Sequence, residues 1–323
     1  MAGGQERLLR GRIRSIQSIR KITRAMELIA ASRIVRAQNA ITAARPYVER
    51  LGQVVQDLAA APDARAHPLF RQVDQVRRAA VIVISGDRGL AGGYNSSVLR
   101  ATERLLRQHS ADGHGTVLIT VGRKAQSYFR FRGYQVDHHF SGISDRPSFA
   151  DARRIVATVM APFAEGDLDM VEIVFTRFKS LASQAVTTRQ LIPLADQGAD
   201  EAGEAEGRPS AEGERRTVDF EFEPDPADIL DRLLPSWLEA QVLAALLESA
   251  ASEHAARQRA MKAATDNADD LIKTLTRVMN RARQDAITTE IMEIVGGAEA
   301  LRSARGTQQG VRAQMNADTA TPS

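Results

Sequence analysis

Between residues 235 and 302 the chain has no internal proline, and its apolar residues recur at alternating steps of three and four. Ala264, Ala268, Leu271, Leu275, Val278 and Ala282 share one stripe; after a one-residue slip, Ile287, Ile291, Ile294, Ala298 and Leu301 resume it. Such a stripe is the seam of a helix packed lengthwise on another helix. At ~1.5 Å per residue the run is roughly 100 Å long, several times the width of a small domain, so it needs a partner of similar length. Residues 5–60 offer one, because Leu9, Ile13, Ile16, Ile19, Ile22, Met26 and Ile29 also recur at three or four. Pro46 predicts a kink or break near Arg45. Pro235 falls at a break or in the first turn of the second helix. The pattern predicts an antiparallel coiled coil between an N-terminal helix at 1–60 and a C-terminal helix at 226–305, with the intervening chain turning back.

The period changes in the middle. Residues 79–84, 116–121, 136–140, 170–178 and 185–194 read as strands, and helical stretches near 95–110, 123–132 and 148–164 separate the earlier ones. Strand–helix alternation predicts an inserted α/β domain at 79–194, a Rossmann-like mixed sheet. The last two strands are joined without room for a helix, which predicts an antiparallel edge. Residues 62–78 read as a Pro- and Arg-containing linker, 195–217 as a flexible acidic loop, and 306–323 as a polar, disordered tail.

Composition narrows the function classes. There are 43 Lys and Arg residues against 40 Asp and Glu, a net charge of +3, so bulk polyanion binding is not indicated. The balance hides an asymmetry: Arg7, Arg10, Arg12, Arg14, Arg20, Lys21, Arg24, Arg33 and Arg36 line the first helix against only Glu6 and Glu27. Like charges on one helix repel, which predicts an acidic protein surface alongside. Nucleic acid fits less well, because no aromatic residue precedes Tyr47 and no nucleic-acid motif occurs. With no Cys there is no disulfide, thiolate ligand or thiol catalysis. No apolar run approaches the ~20 residues of a membrane span.

The candidate chemistry is thin. Residues 85–95, Ser-Gly-Asp-Arg-Gly-Leu-Ala-Gly-Gly-Tyr-Asn, form a glycine-rich loop between strand and helix, where dinucleotide folds hold phosphate. The spacing is neither G-x-G-x-x-G nor a P-loop, so a tight turn is the better reading, with Asp87 and Arg88 as a docking point. Glu290 and Glu293 lie one turn apart, but no His or third acid joins them at metal spacing. His254 is isolated, and His138 and His139 end a strand without a triad partner. The reading is therefore no catalytic residue, no cofactor and no metal site.

Several stretches carry a resemblance. Residues 12–16 (Arg-Ile-Arg-Ser-Ile), 21–27 (Lys-Ile-Thr-Arg-Ala-Met-Glu) and 30–33 (Ala-Ala-Ser-Arg) resemble the N-terminal helix of the gamma subunit of F-type ATP synthases of the bacterial type. The loop at 85–95 is similar to that family's Asp-Arg-Gly-Leu-Cys-Gly-Gly-Tyr-Asn loop, and residues 251–257, 261–268 and 287–298 resemble its C-terminal helix. Ala91 stands where many members have Cys, the acidic loop looks longer than usual, and the tail after Leu301 runs past the usual end.

The resemblance implies a central-stalk rotor subunit that is not itself catalytic. Its partners would be the ring of alpha and beta subunits, the epsilon subunit and the c-ring. The complex would be a proton-translocating ATP synthase, bound peripherally at the cytoplasmic face of the plasma membrane. Carried over motif by motif, Lys21, Arg24 and Met26, Asp87 and Arg88, and Thr289, Glu290 and Glu293 would face the ring.

Overall fold

The computed structural model describes residues 2–59, 75–193 and 226–318; the acidic stretch 195–217 and most of the 62–78 linker lie outside the described residues. The longest elements are α1 (Ala2–Ala59) and α5 (Pro226–Asp318). Neither proline breaks its helix: Pro46 lies inside α1 and Pro235 inside α5. Pro46 faces solvent, so water can take the carbonyl that a proline nitrogen leaves unbonded four residues back. The end predicted near 305 is also displaced, since α5 continues to Asp318. Residues 307–318 contain no proline, and Gln308, Gln309, Arg312, Ala313, Gln314, Met315 and Ala317 among them favour helix.

The chain divides into two compact units, Met1–Ala25 with Lys262–Ser323, and Met26–Met261. Among the described residues of the first, the elements are two helical segments, and each packs its seam on the other. On α1 the buried line runs through Leu9, Ile13 and Thr23, with Ile16 and Arg20 half-buried between them. On α5 it runs through Thr265 and Ala268, both buried, and on through the half-buried Ile272, Leu275, Met279, Ala282 and Ala286. These steps alternate strictly between three and four, the heptad spacing of a left-handed coiled coil. Thr23 Oγ1 and Thr265 Oγ1 share a hydrogen bond at 2.8 Å, and Arg20 Nη1 donates to Asp269 Oδ1 at 2.6 Å. As the α1 number falls the α5 number rises, so the pairing is antiparallel.

The seam differs in phase from the predicted one. Ile19 and Ile22 are 50% and 60% exposed, and Leu271 and Val278 are 52% and 45% exposed. Successive steps of three precess by about −60° each, so a line through 16, 19 and 22 walks off the face that begins at Leu9 and Ile13. On α5 two heptad lines share Ala268, Leu275 and Ala282; the inward-facing one takes the half-buried Ile272 and Met279 instead of the exposed Leu271 and Val278.

The second unit holds β1 (Arg78–Ile84), α2 (Tyr94–Ala111), β2 (Gly115–Val121), α3 (Arg123–Phe131), β3 (His138–Phe140), α4 (Phe149–Glu165), β4 (Met170–Phe178) and β5 (Gln184–Ile192). The five-stranded sheet has the order β3-β2-β1-β4-β5. Pairings among β1 to β4 are parallel and β5 is antiparallel to β4. Alternation along β1 sends Ala80, Ile82 and Ile84 to one face and Val81 and Val83 to the other. On the first face they meet α4, the α1 residues Leu51, Val55 and Leu58, and the α5 residues Leu230, Leu234 and Trp237. On the second they meet Val98, Leu99 and Leu106 of α2 and Ala125 and Phe129 of α3.

Candidate functional site

The loop after β1 reaches the carboxyl ends of the strands, where open α/β sheets bind ligands. Here polar groups of the chain itself occupy it. Ser85 is fully buried, and its hydroxyl donates to the Val121 carbonyl at 3.0 Å while accepting from the Ala125 N–H at 2.9 Å. The Lys124 N–H donates to the Gly86 carbonyl at 3.2 Å, and the Arg123 N–H to Asp87 Oδ1 at 3.1 Å. The first-turn donors of α3 that would grip a phosphate are thus already committed.

Asp87 ties three loops together. Besides Arg123 it accepts from the Gly142 N–H at 2.9 Å and the Ser144 hydroxyl at 3.1 Å, through Oδ2. Its own N–H donates to Ser144 Oγ at 3.1 Å. Asn95 closes the loop at its far end, accepting from the Gly86 N–H at 2.8 Å and donating to the Arg88 carbonyl at 3.2 Å. Leu90 at the tip has φ of 61° and is 63% exposed, an arrangement a branched apolar residue rarely adopts.

From the other side α5 backs the loop. A Cβ on Gly86 would lie 2.7 Å from Glu253 Oε1, so the backbone meets this carboxylate with no room to spare. Arg257 donates to Glu253 Oε1 at 2.5 Å and to the Gly89 carbonyl at 3.3 Å. Burial pushes the Glu253 carboxyl above its usual range, with Arg257 opposing. Burial, aided by the Arg257 guanidinium, holds His254 down to about 4. Arg33 Nη1 pairs with Asp145 Oδ2 at 2.7 Å nearby in sequence to the Ser144 bracket. The arrangement is a polar junction bonded largely within itself, with Glu253 Oε2 left buried without a hydrogen-bond partner; its outward-facing part is the Arg88–Leu90 tip.

The sequence profile of the ATP synthase family matches residues 5–301. The chain is 49% identical over 304 residues to the ATP synthase gamma chain of Frankia casuarinae, covering 93% of this chain and 99% of that relative. It is 48% identical over 313 residues to the gamma chain of Mycolicibacterium vanbaalenii, with 93% and 98% covered. The chain belongs to the ATP synthase gamma family. The fold agrees: the rotational-state-3 OSCP/F1/c-ring structure of Euglena gracilis mitochondrial ATP synthase contains a chain that superposes with a TM-score of 0.60 at 17% identity, covering 94% of this chain and 96% of that one. A central stalk/c-ring chain of the Tetrahymena thermophila mitochondrial enzyme gives 0.56 at 22% identity, covering 75% and 99%.

The residues singled out by the gamma-family motifs fall on α1, on the loop after β1 and on α5. Lys21 and Arg24 are exposed on α1 and Met26 is half-buried. Thr289, Glu290 and Glu293 are exposed on α5, with the Thr289 hydroxyl returned to the Asp285 carbonyl at 2.9 Å. Asp87 is turned inward by its loop bonds, whereas Arg88 is exposed. Among the described residues no group of three or more His, Asp or Glu is placed to hold a metal ion. The charge asymmetry of α1 is partly answered inside the chain, by Asp269 for Arg20 and Asp145 for Arg33. Sequence reasoning missed Glu253 and Arg257 as supports of the glycine-rich loop. Their i, i+4 spacing was the available signal.

Proposed function

We propose that this chain is the central-stalk rotor subunit of a proton-translocating ATP synthase. It passes rotation of the membrane c-ring to the alpha/beta ring to drive ATP synthesis, or the reverse, and makes no bond itself. Its partners are the alpha and beta subunits, the epsilon subunit and the c-ring. It is held peripherally at the cytoplasmic face of a bacterial plasma membrane through them; among its described residues no helix is long and apolar enough to cross a membrane.

The observation that carries this reading is the outer surface of the first unit. Past Ala286, the last half-buried position of its seam, α5 is exposed on every face from residue 287 to 300, and it carries Ile287, Ile291, Met292, Ile294 and Val295 there, the least exposed of them at 46%. An apolar stretch of helix that runs on past its partner helix needs a sheath supplied by other chains. Lys21, Arg24, Met26, Arg88, Thr289, Glu290 and Glu293 are the proposed contacts with that sheath, and Asp87 acts by holding Arg88 in place. Coupling then means that each angle of the shaft favours a different beta conformation through unequal contact free energy.

Met26→Lys in the assembled enzyme tests the reading. A half-buried cation at this position should lower ATP synthesis and ATP-driven proton pumping several-fold while the complex still assembles and hydrolyses ATP. Normal proton-driven synthesis by the variant would refute the proposed contact.

A further inference from the structure

The last turn of α2 ends in a left-handed cap. The His114 N–H donates to the His109 carbonyl at 2.8 Å and the Gly113 N–H to the Ser110 carbonyl at 3.3 Å, with Gly113 at φ 78°. This pair of bonds brings the side chain of the residue after the glycine onto the residue five positions earlier, where an apolar contact is usual. Here both side chains are imidazoles. Their ring centroids are 5.4 Å apart, and His109 Nδ1 faces His114 Nδ1 at 3.1 Å.

The other nitrogen of His109 is fixed as well. Its Nε2 lies 2.6 Å from Glu172 Oε2, on β4. Donation of Nε2–H to that carboxylate leaves the Nδ1 lone pair directed at His114. A carboxylate behind a histidine is the arrangement that orients and strengthens imidazole ligands of metals. The distance between the two Nδ1 atoms also suits a metal. With bonds of ~2.0–2.1 Å and tetrahedral angles, zinc needs its nitrogen ligands about 3.3–3.4 Å apart. The rings must open by only a few tenths of an ångström. His109 is buried but His114 is half-exposed, which leaves a path for an ion.

We infer that His109 Nδ1 and His114 Nδ1 form a binding site for a borderline divalent transition ion of the zinc class. Glu172 is the supporting carboxylate and water fills the remaining positions. Imidazole pairs favour such ions over magnesium or calcium. Bound metal would clamp the end of α2 to the first residues before β2. Nothing in the rotor reading requires this site, and its failure would leave that reading untouched.

Calorimetry of the full-length chain with Zn2+ is the test, alongside thermal melts and histidine-selective 15N spectra. One Zn2+ should bind per chain, raise the melting temperature and shift the Nδ1 resonances of His109 and His114. His114→Gln should lower the affinity at least ~10-fold while melting normally without metal, and Glu172→Gln should lower it about 10–100-fold. His138→Gln with His139→Gln should change neither. The site is disproved if the unaltered chain binds no Zn2+, if His114→Gln binds it equally well, or if the resonances that move belong to His138 and His139.

Discussion

A methyl group at position 122 would sit 2.2 Å from the Ser85 carbonyl oxygen, and φ there is +92°. Both the backbone angle and the space demand glycine, because α3 must start directly against the Ser85 turn. Gly122→Ala is expected to destabilise the chain by about 3 kcal/mol or more. Gly133→Ala, with φ of +81° but nothing within 4 Å, isolates the angle alone and should lose only about 1 kcal/mol. Urea melts of the two variants would separate the terms. His254 supplies a pH dependence. Its folded pKa of about 4 lies below the ordinary 6.5, so the unfolded chain binds the proton first. Stability from this group is complete above about pH 6.5 and falls by about 3 kcal/mol as pH drops toward about 4. Glu253 acts with the opposite sign, since burial raises its pKa, and its contribution is lost as pH rises above the ordinary 4.5. His254→Gln should flatten the acid-side fall in melting temperature; an unchanged profile would contradict the assignment. At this scale the sequence was only partly legible. The loop motif was plain, but Asp87 read as an exposed docking charge, because nothing in a linear order says that residues 123, 142 and 144 will converge on it.

Among elements, the glycine-rich turn and the strand–helix alternation could be read because strands carry a two-residue period and turns carry glycine. The existence of the paired helices could also be read, but not their phase. Hydrophobicity pointed to Ile19 and Ile22, whereas the buried line passes through Arg20 and Thr23. Polar seam residues are invisible to an apolar count, and only the matching Thr265 and Asp269 on the other helix choose them. Both prolines misled for a related reason. A helix held along its length by tertiary packing tolerates one missing hydrogen bond that would end an isolated helix. The chain has no native Cys, so Thr23→Cys with Thr265→Cys gives a clean test of the seam. The pair should oxidise readily and raise the melting temperature. It should leave ATP hydrolysis and proton pumping of the assembled enzyme unchanged, because the two segments are expected to turn as one body. Coupling lost on oxidation and regained on reduction would show that they must slide.

For the molecule as a whole, family motifs spread from residue 12 to residue 298 outweighed any single site. The α/β fold alone would have suggested a nucleotide. The geometry argues otherwise: the first-turn donors of α3 are bonded to Ser85, Gly86 and Asp87, and the Glu253–Arg257 pair backs the loop. Calorimetry of the isolated chain with ATP and with NAD should register no tight binding, and a tight complex with either would reopen an enzymatic reading. The nearly balanced charge of +3 told little, since much of what matters is where Arg20 and Arg33 find their carboxylates.

The seam bonds also set a schedule for biosynthesis. Thr23 meets a residue 242 positions further along, and Arg20 one that is 249 away. At ~5–20 residues per second, a ribosome needs roughly 10–50 s to make the second helix after the first has emerged. Throughout that interval Leu9, Ile13 and Ile16 have no native cover, while the sheet between can already close. The newborn amino end is therefore a natural client for a holding chaperone, and its release must wait until translation is nearly complete.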